Sequence, residues 1–276
     1  MTYKETIEVL RSNGIEDPAF DAAELLCRFA GVSKSALLAD PNKDYGSDEL
    51  LDAIRKRCER IPLQYILGEW EFFGLTFEVS EACLCPRADT EITVAEVLKR
   101  LRDGSKILEL CTGSGCISIS ICRERRHTVA VATDLFDDTL SLAMRNAEQN
   151  GVSDRITFIR SDLFARDLSH PHEYFDAIIS NPPYIPTADL DGLSPEVGHE
   201  PRAALDGGED GMIFYREILG FYKQYLKRDG FIALEIGYDQ AQKIKGIARE
   251  NAFDCAIIKD LGGNDRCAVC RPENQI

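Results

Sequence analysis

From Lys106 to Arg271 the chain alternates short apolar runs with amphipathic stretches, and few folds accept that alternation. Runs at 106–110, 128–133, 155–160, 175–180 and 231–236 are short and bounded by polar or glycine residues, as strands buried on both faces are. Helical periodicity marks 115–125, 137–149, 211–227 and 239–251. Strands alternating with helices predict a mostly parallel, doubly wound α/β sheet with helices on both faces. Two final strands, 254–259 and 266–271, have no helix between them, so the sheet should finish on an antiparallel strand.

The first of these strands runs into a glycine turn, Cys111-Thr112-Gly113-Ser114-Gly115, which opens a helix. Gly113 and Gly115 let the backbone approach a ligand without Cβ obstruction. A dinucleotide fingerprint would need a third glycine where Ser118 stands, and the lysine of a phosphate loop is also missing. With Glu109 just before the turn, the loop better suits a cofactor that has an amino group and no phosphate, S-adenosyl-L-methionine. Asp134 closes the next strand about 20 residues on, where a carboxylate reaches ribose hydroxyls in nucleotide-binding α/β folds. Asp162 and Leu163 follow the third strand, placed to border an adenine ring. The expected cofactor site is therefore Glu109, Cys111, Thr112, Gly113, Ser114, Gly115, Asp134, Asp162, Leu163 and Asn181.

Asn181-Pro182-Pro183-Tyr184 sits at the carboxyl end of the fourth strand, where ligands bind in open α/β sheets. Its two prolines stop the strand and stiffen the exit loop. The Asn181 side-chain oxygen and the Pro182 carbonyl suit both hydrogens of a planar NH2 group, with the Tyr184 ring on its π face. A plainer explanation, a proline-stopped strand with a capping asparagine, fits the tetrapeptide alone equally well.

Charge narrows the partners. Asp and Glu outnumber Lys and Arg 47 to 32, a formal net charge of −15, whereas phosphate-backbone binders carry a basic stripe. The two dense basic patches, Arg55–Arg60 and Arg123–Arg126, fit solvated helix faces. No apolar run is long enough to span a membrane, and Met1–Leu10 is charged where a signal peptide would be apolar. The expected location is cytoplasmic, with the ten cysteines as reduced thiols. Cys267 and Cys270 have metal-site spacing, but residues three apart on a strand face opposite ways; no metal site is expected.

Ahead of the α/β region, residues 1–61 read as a small helical domain that positions a substrate. Tyr3, Ile7 and Leu10 form one stripe. A second helix starts with Asp17 as N-cap and Pro18 in its first turn, buries Ala22, Leu25, Leu26 and Phe29, and stops at Gly31. A third begins near Ser47. Residues 62–85 change character: the aromatic and β-branched runs 70–73 and 75–79, split by Gly74, predict a hairpin linking the helices to a domain at 86–276. In that domain Asp89, Thr90 and Glu91 begin a helix running to about Arg102, their carboxylates explained by the helix dipole.

Together these stretches resemble the peptide chain release factor glutamine methyltransferases, the PrmC/HemK family. The matching residues are Pro62-Leu63-Gln64-Tyr65-Ile66-Leu67-Gly68, Phe72-Phe73-Gly74-Leu75, Pro86-Arg87 with Thr90-Glu91, the 107–115 loop and Asn181–Tyr184. Further matches are Glu200-Pro201, Ala204–Gly208 with Asp210-Gly211, Glu235-Ile236-Gly237 with Gln240, and Asp260-Leu261 with Asp265-Arg266. The resemblance covers residues from about 20 to 271 and implies a Rossmann-like class I methyltransferase fold. It implies methyl transfer from S-adenosyl-L-methionine to the side-chain amide of the Gly-Gly-Gln glutamine in class 1 release factors. A monomer with no direct nucleic-acid partner is expected. By position, Cys111–Gly115, Asp134, Leu163 and Asn181 would contact the cofactor, and Asn181, Pro182, Pro183 and Tyr184 the substrate amide. Two departures stand out: Cys111 replaces the family's first loop glycine, and Leu163 stands where the family often has an aromatic residue. Pro86 and Arg87 are also consistent with a purely structural linker. An adenine amino-methyltransferase and a non-catalytic cofactor-binding assembly factor are the alternatives; the charge balance opposes the first and the intact Asn181–Tyr184 the second.

Overall fold

The computed structural model describes residues 1–172 and 174–273, so residues 173 and 274–276 of the expected 86–276 domain lie outside the described residues. The chain divides into two units, Met1–Glu69 with Leu193–His199, and Trp70–Gly192 with Glu200–Ile276.

In the first unit, α1 (Tyr3–Ser12) starts from a capping box in which Thr2 and Glu5 satisfy each other's backbone amides. Its buried face is Thr6 and Leu10; Tyr3 and Ile7 of the expected stripe stay half-buried. Thr6 can replace an apolar residue because its hydroxyl donates to the Thr2 carbonyl at 2.8 Å. α2 (Pro18–Ala30) has the expected Asp17 cap and ends at Gly31, φ 66°; Phe29 is half-buried. α3 (Lys34–Ala39) and α5 (Leu63–Leu67) were not foreseen, being too short to show a helical period. Between them α4 (Asp48–Cys58) leaves Ser47.

Arg57 breaks the expectation of a solvated basic face. It is buried, donating from Nε to Asp21 at 2.6 Å and pairing with Glu196 at 3.0 Å, while Arg60 reaches the same Glu196 at 2.7 Å. Glu196 thereby joins the segment 193–199 to the helices.

In the second unit, β1 (Glu69–Phe72) and β2 (Leu75–Glu78) form the hairpin. Phe73 (φ 52°) and Gly74 (φ 71°) both lie in the left-handed region, as a two-residue type I′ turn requires. The Phe73 amide is bound by the Glu91 carboxylate at 2.8 Å. α6 (Thr90–Leu98) is shorter than expected, and Asp89, rather than serving the helix dipole alone, pairs with Arg266 at 3.1 Å. There follow β3 (Lys106–Leu110), α7 (Cys116–Glu124), β4 (Val129–Asp134), α8 (Asp137–Gln149), β5 (Ile156–Arg160) and β6 (Phe175–Ser180). α9 (Ile213–Gly220), β7 (Leu226–Glu235), α10 (Ala241–Glu250), β8 (Phe253–Lys259) and β9 (Asp265–Pro272) complete it.

The sheet order is β5-β4-β3-β6-β7-β9-β8, parallel through β7, with β9 antiparallel to both neighbours. Alternate residues of each strand enter opposite cores. Leu108, Ile178 and Ile232 pack with α9 and α10, whereas Ile107, Ala177 and Phe231 pack with α6, α7 and the hairpin. Cys270 and Cys267 divide the same way.

The helix expected at 211–227 stops at Gly220 because Tyr222 and Tyr225 turn inward through a 3-10 turn. Their hydroxyls donate to the Leu163 and Leu168 carbonyls at 3.2 and 2.7 Å. The strand then starts five residues early, bulging beside Asp176, whose carbonyl lies 2.9 Å from where a Cβ on Gly230 would sit. No helix among the described residues is long and apolar enough to cross a membrane.

Replacing Arg57 by Leu leaves the Asp21 and Glu196 carboxylates without their buried counter-charge, so the unit should lose about 3–5 kcal/mol in denaturant unfolding at pH 7. Burial already raises the Asp21 pKa against the lowering effect of Arg57. Without Arg57 it rises further, the folded state holds more protons than the unfolded one, and lowering the pH toward 5 should return part of the loss. An unfolding midpoint equal to wild type at pH 7 would remove Arg57 from the core of this unit.

Candidate functional site

The carboxyl ends of β3, β4, β5 and β6 meet around a cavity of about 150 Å³, roughly ten times the space a single water needs. Cys111, Gly113, Asp134, Asp162, Leu163, Asn181 and Pro183 line it. Glu109, Thr112, Ser114, Gly115, Pro182 and Tyr184 are not on its wall.

Their absence has local causes. Glu109, the fourth residue of β3, lies beneath the glycine turn and is 1% exposed. Its Oε2 accepts from the Thr112 hydroxyl at 2.7 Å and the Ser118 amide at 3.1 Å, tying the turn to α7, while Oε1 is buried without a partner among the described residues. Burial raises the Glu109 pKa to about 7. Gly115 packs against α8: a Cβ there would come 2.9 Å from Ile119 and 3.2 Å from Ala143. The Ser114 carbonyl faces away, bound by Asn146 at 3.0 Å.

Gly113 is different. It has φ 56°, and an added Cβ would meet no atom within 4 Å, so its open side gives onto the cavity. Its amide donates to Asp134 Oδ2 at 3.0 Å, and the Phe136 amide to Oδ1 at 3.3 Å. Asp134 is thus held at the cavity wall by backbone donors from two loops. Burial raises its pKa, and those amides oppose the rise. Cys111 occupies the left-handed region at φ 58°, where the family's glycine would sit without strain. Its thiol faces the Ser180 hydroxyl, and the cavity stays open beside it.

Asn181 follows β6 directly. Its Nδ2 donates to the Thr90 hydroxyl at 3.3 Å, which leaves Oδ1 as the acceptor of this amide. Pro182 and Pro183 are buried. Tyr184 packs against the core beneath α9 and α10, and burial pushes its hydroxyl pKa up to about 12. Its carbonyl accepts from Gln240 Nε2 at 2.7 Å, and Gln240 Oε1 accepts from the Gly237 amide at 2.9 Å. The next residue, Ile185, exchanges backbone bonds with Leu205 and Gly207 at 3.0 and 2.8 Å. Gly207 and Gly211 back onto Tyr184, where a Cβ would approach its backbone to 2.7 and 2.5 Å.

Several residues of the wall were not foreseen. Phe136, Phe164 and Phe214 line the cavity, with Phe164 and Phe214 edge to face at 5.0 Å. The aromatic surface missing at Leu163 is supplied by the residue after it. Asn146, buried inside α8, also bridges Ser114 to both backbone groups of Glu78. A fully buried asparagine amid a helical apolar face was its one available signal. Glu200 binds Arg87 and the Cys85 amide, giving the segment ahead of α6 a fixed anchor.

Residues 2–68 match the PrmC N-terminal domain, and residues 89–200 match the methyltransferase small domain. A release factor glutamine methyltransferase of Geobacter sulfurreducens is 39% identical over 262 residues, covering 93% of this chain and 90% of that protein. The chain belongs to the release factor glutamine methyltransferase family. Another member, from Fusobacterium nucleatum, is 37% identical over 98% of this chain and 77% of its own length. A methyltransferase crystal structure from Pyrococcus furiosus shares the fold, with a TM-score of 0.53 at 20% identity over 72% of this chain and 89% of that one.

Two measurements probe the construction of the site. Asn146→Ala removes three polar contacts that hold the glycine turn to the hairpin, and should lower stability by about 2–3 kcal/mol in chemical denaturation. Glu109 has a folded pKa above its ordinary 4.5, so its contribution is full below that value and is lost as pH rises through about 7. The unfolding free energy of the protein should therefore fall between pH 5 and 8, and Glu109→Gln should flatten that fall, by on the order of 3 kcal/mol at pH 8. An equally steep fall in the variant would assign it to another group.

Proposed function

We propose that this chain transfers a methyl group from S-adenosyl-L-methionine to the side-chain amide nitrogen of the glutamine in the Gly-Gly-Gln motif of class 1 release factors. The observation that carries the reading is Asn181: it lines the cavity at the strand ends, its NH2 group is committed to Thr90, and a carbonyl oxygen remains to accept. Family membership supports the same reaction, and the net charge of −15 favours a protein over a nucleic-acid substrate. The N-terminal helical unit is read as the part that positions the release factor.

The cofactor supplies a methyl group on a positively charged sulfur. The residues present suit it: an open glycine backbone at Gly113, a carboxylate at Asp134 for hydroxyls, and apolar and aromatic surface at Leu163 and Phe164 for a flat ring. Cys111 and Asp162 complete that wall, and Glu109, Thr112, Ser114 and Gly115 shape it from behind.

An amide nitrogen is a poor nucleophile because its lone pair is delocalised into the carbonyl. No strong base lies within Asn181–Tyr184, so proton removal ahead of attack is not invoked. Asn181 Oδ1 and the Pro182 carbonyl accept the two amide hydrogens, orient the nitrogen and favour its pyramidal form. Positioning of this kind lowers barriers by up to about 7–11 kcal/mol in well-oriented systems. The same oxygens meet positive charge as it grows on nitrogen, so they stabilise the transition state more than the ground state. Pro183 stiffens the turn, Tyr184 provides the apolar side of the amide slot, and the proton leaves afterwards to water.

Labelled methyl transfer to a purified release factor, with its motif glutamine changed to Ala as control, tests the reading. Label in the Ala control, or label in DNA or RNA instead, would overturn it. Asn181→Ala should lower kcat by at least about 100-fold with little change in cofactor affinity. Tyr184→Phe, which keeps the ring, should lose less than about 5-fold.

A further inference from the structure

Behind Asn181 lies a polar chain that the proposed reaction has not used. Asn181 Nδ2 donates to Thr90 Oγ1 at 3.3 Å, and the Thr90 hydroxyl in turn reaches the carboxylate of Glu235. Thr90 and Glu235 are each 2% exposed, Thr90 at the first position of α6 and Glu235 at the carboxyl end of β7. Among the described residues, Glu235 Oε2 is buried with no hydrogen-bond partner. Buried polar groups left unpaired are costly, so this carboxylate is retained against an energetic penalty.

We propose that Glu235, acting through the Thr90 hydroxyl, fixes which side of the Asn181 amide is offered to the substrate. This rests on the role given to Asn181 above and extends it to two positioning residues. An asparagine amide can rotate half a turn with almost no change in shape, exchanging an acceptor for a donor. Only the acceptor orientation can receive a hydrogen from the substrate amide. A threonine hydroxyl has one hydrogen. When Glu235 is ionised it takes that hydrogen, the Thr90 oxygen can then only accept, and the Asn181 NH2 group is the donor beside it. Oδ1 is thereby left for the substrate. When Glu235 is protonated, its own O–H donates to Thr90, the Thr90 hydrogen is released toward Asn181, and the amide is stable in the reversed orientation. That orientation presents NH2 to NH2.

The groups around Glu235 are mixed in charge. Arg266 and Cys267 face it from β9, Asp89 and Arg87 from the segment before α6, Cys116 from α7 and the Tyr184 hydroxyl from the β6 exit loop. Tyr215 of α9 binds the Glu235 backbone carbonyl at 2.8 Å. Burial raises the Glu235 pKa to about 7, while the Thr90 hydroxyl and the Arg266 charge lower it. The ordering chain is therefore complete on the alkaline side of neutrality and lost on the acid side.

The test uses the full chain, the cofactor and a purified release factor. Thr90→Val keeps the shape and removes the hydroxyl: kcat should fall about 10- to 100-fold, while KM for the release factor and affinity for S-adenosyl homocysteine stay within about 2-fold. Thr90→Ser should restore most of the loss. Wild-type kcat should rise through about pH 7, and Glu235→Gln, which keeps an acceptor oxygen and cannot titrate, should lose that inflection. Glu109 titrates in the same range, so the comparison between wild type and Glu235→Gln decides, not the wild-type profile alone. Thr90→Val at wild-type turnover, Thr90→Ser no better than Thr90→Val, or an unchanged inflection in Glu235→Gln would each overturn the proposal. A wild-type enzyme that methylates no release factor would instead overturn the assigned reaction.

Discussion

The site depends on a contact between backbones. Gly207 and Gly211 lie so close to Tyr184 that any side chain on them would collide with its main chain. That approach lets Ile185 exchange hydrogen bonds with residues 205 and 207, and lets the Gln240 amide bind the Tyr184 carbonyl. Two prolines stiffen Asn181–Tyr184 from within, and this backing fixes the tetrapeptide from outside. The catalysis by proximity proposed for this tetrapeptide needs both, because small displacements of the positioning groups cost large factors in rate.

On the glycine-turn side of the cavity the economy is similar, and Cys111 is its irregularity. A non-glycine residue in the left-handed region costs about 1–2 kcal/mol. The turn tolerates it because Glu109 holds Thr112 and Ser118 from below while Asp134 holds Gly113 from the side. In the proposed reaction a thiolate in this wall would be a strong nucleophile next to the methyl donor and would compete with the substrate. Burial, reinforced by the Asp134 charge, drives the Cys111 pKa far up, so the thiol stays neutral and inert at physiological pH.

Much of this was legible in the chain. Strand–helix alternation predicted the sheet, because strands buried on both faces must be apolar throughout, and β3 and β6 fall where the apolar runs lie. Asp134, Asp162 and Asn181 line one cavity because each sits at the end of a strand, and strand ends on one edge of a parallel sheet converge. What was not legible arises between distant segments. Glu109 looked like a ligand contact and is a brace, since nothing in Glu109-Leu110-Cys111 reveals that Ser118 folds back over it. Helix α9 ended early because Tyr222 and Tyr225 found carbonyls on the loop after β5, a tertiary demand that overrides local propensity. Arg57 read as one of a run of solvated charges; only the arrival of Asp21 and Glu196, 36 and 139 residues away, makes it a core residue.

Two glutamates, at the ends of β3 and β7, carry a common cost. Each is almost wholly buried, each has one oxygen without a partner among the described residues, and each is pushed by burial to a pKa of about 7. Apolar replacements of the same size would be cheaper for folding. Glu109 answers the Thr112 hydroxyl in the turn beside the cavity, and Glu235 the Thr90 hydroxyl beside Asn181. In both places the carboxylate, once ionised, can only accept, so the hydroxyl facing it can only donate, and the freedom of the next group in line is removed. Packing alone cannot do this, because an asparagine amide has nearly the same shape in both orientations. Polarity distinguishes them, and a buried charge imposes that polarity without needing to touch the substrate.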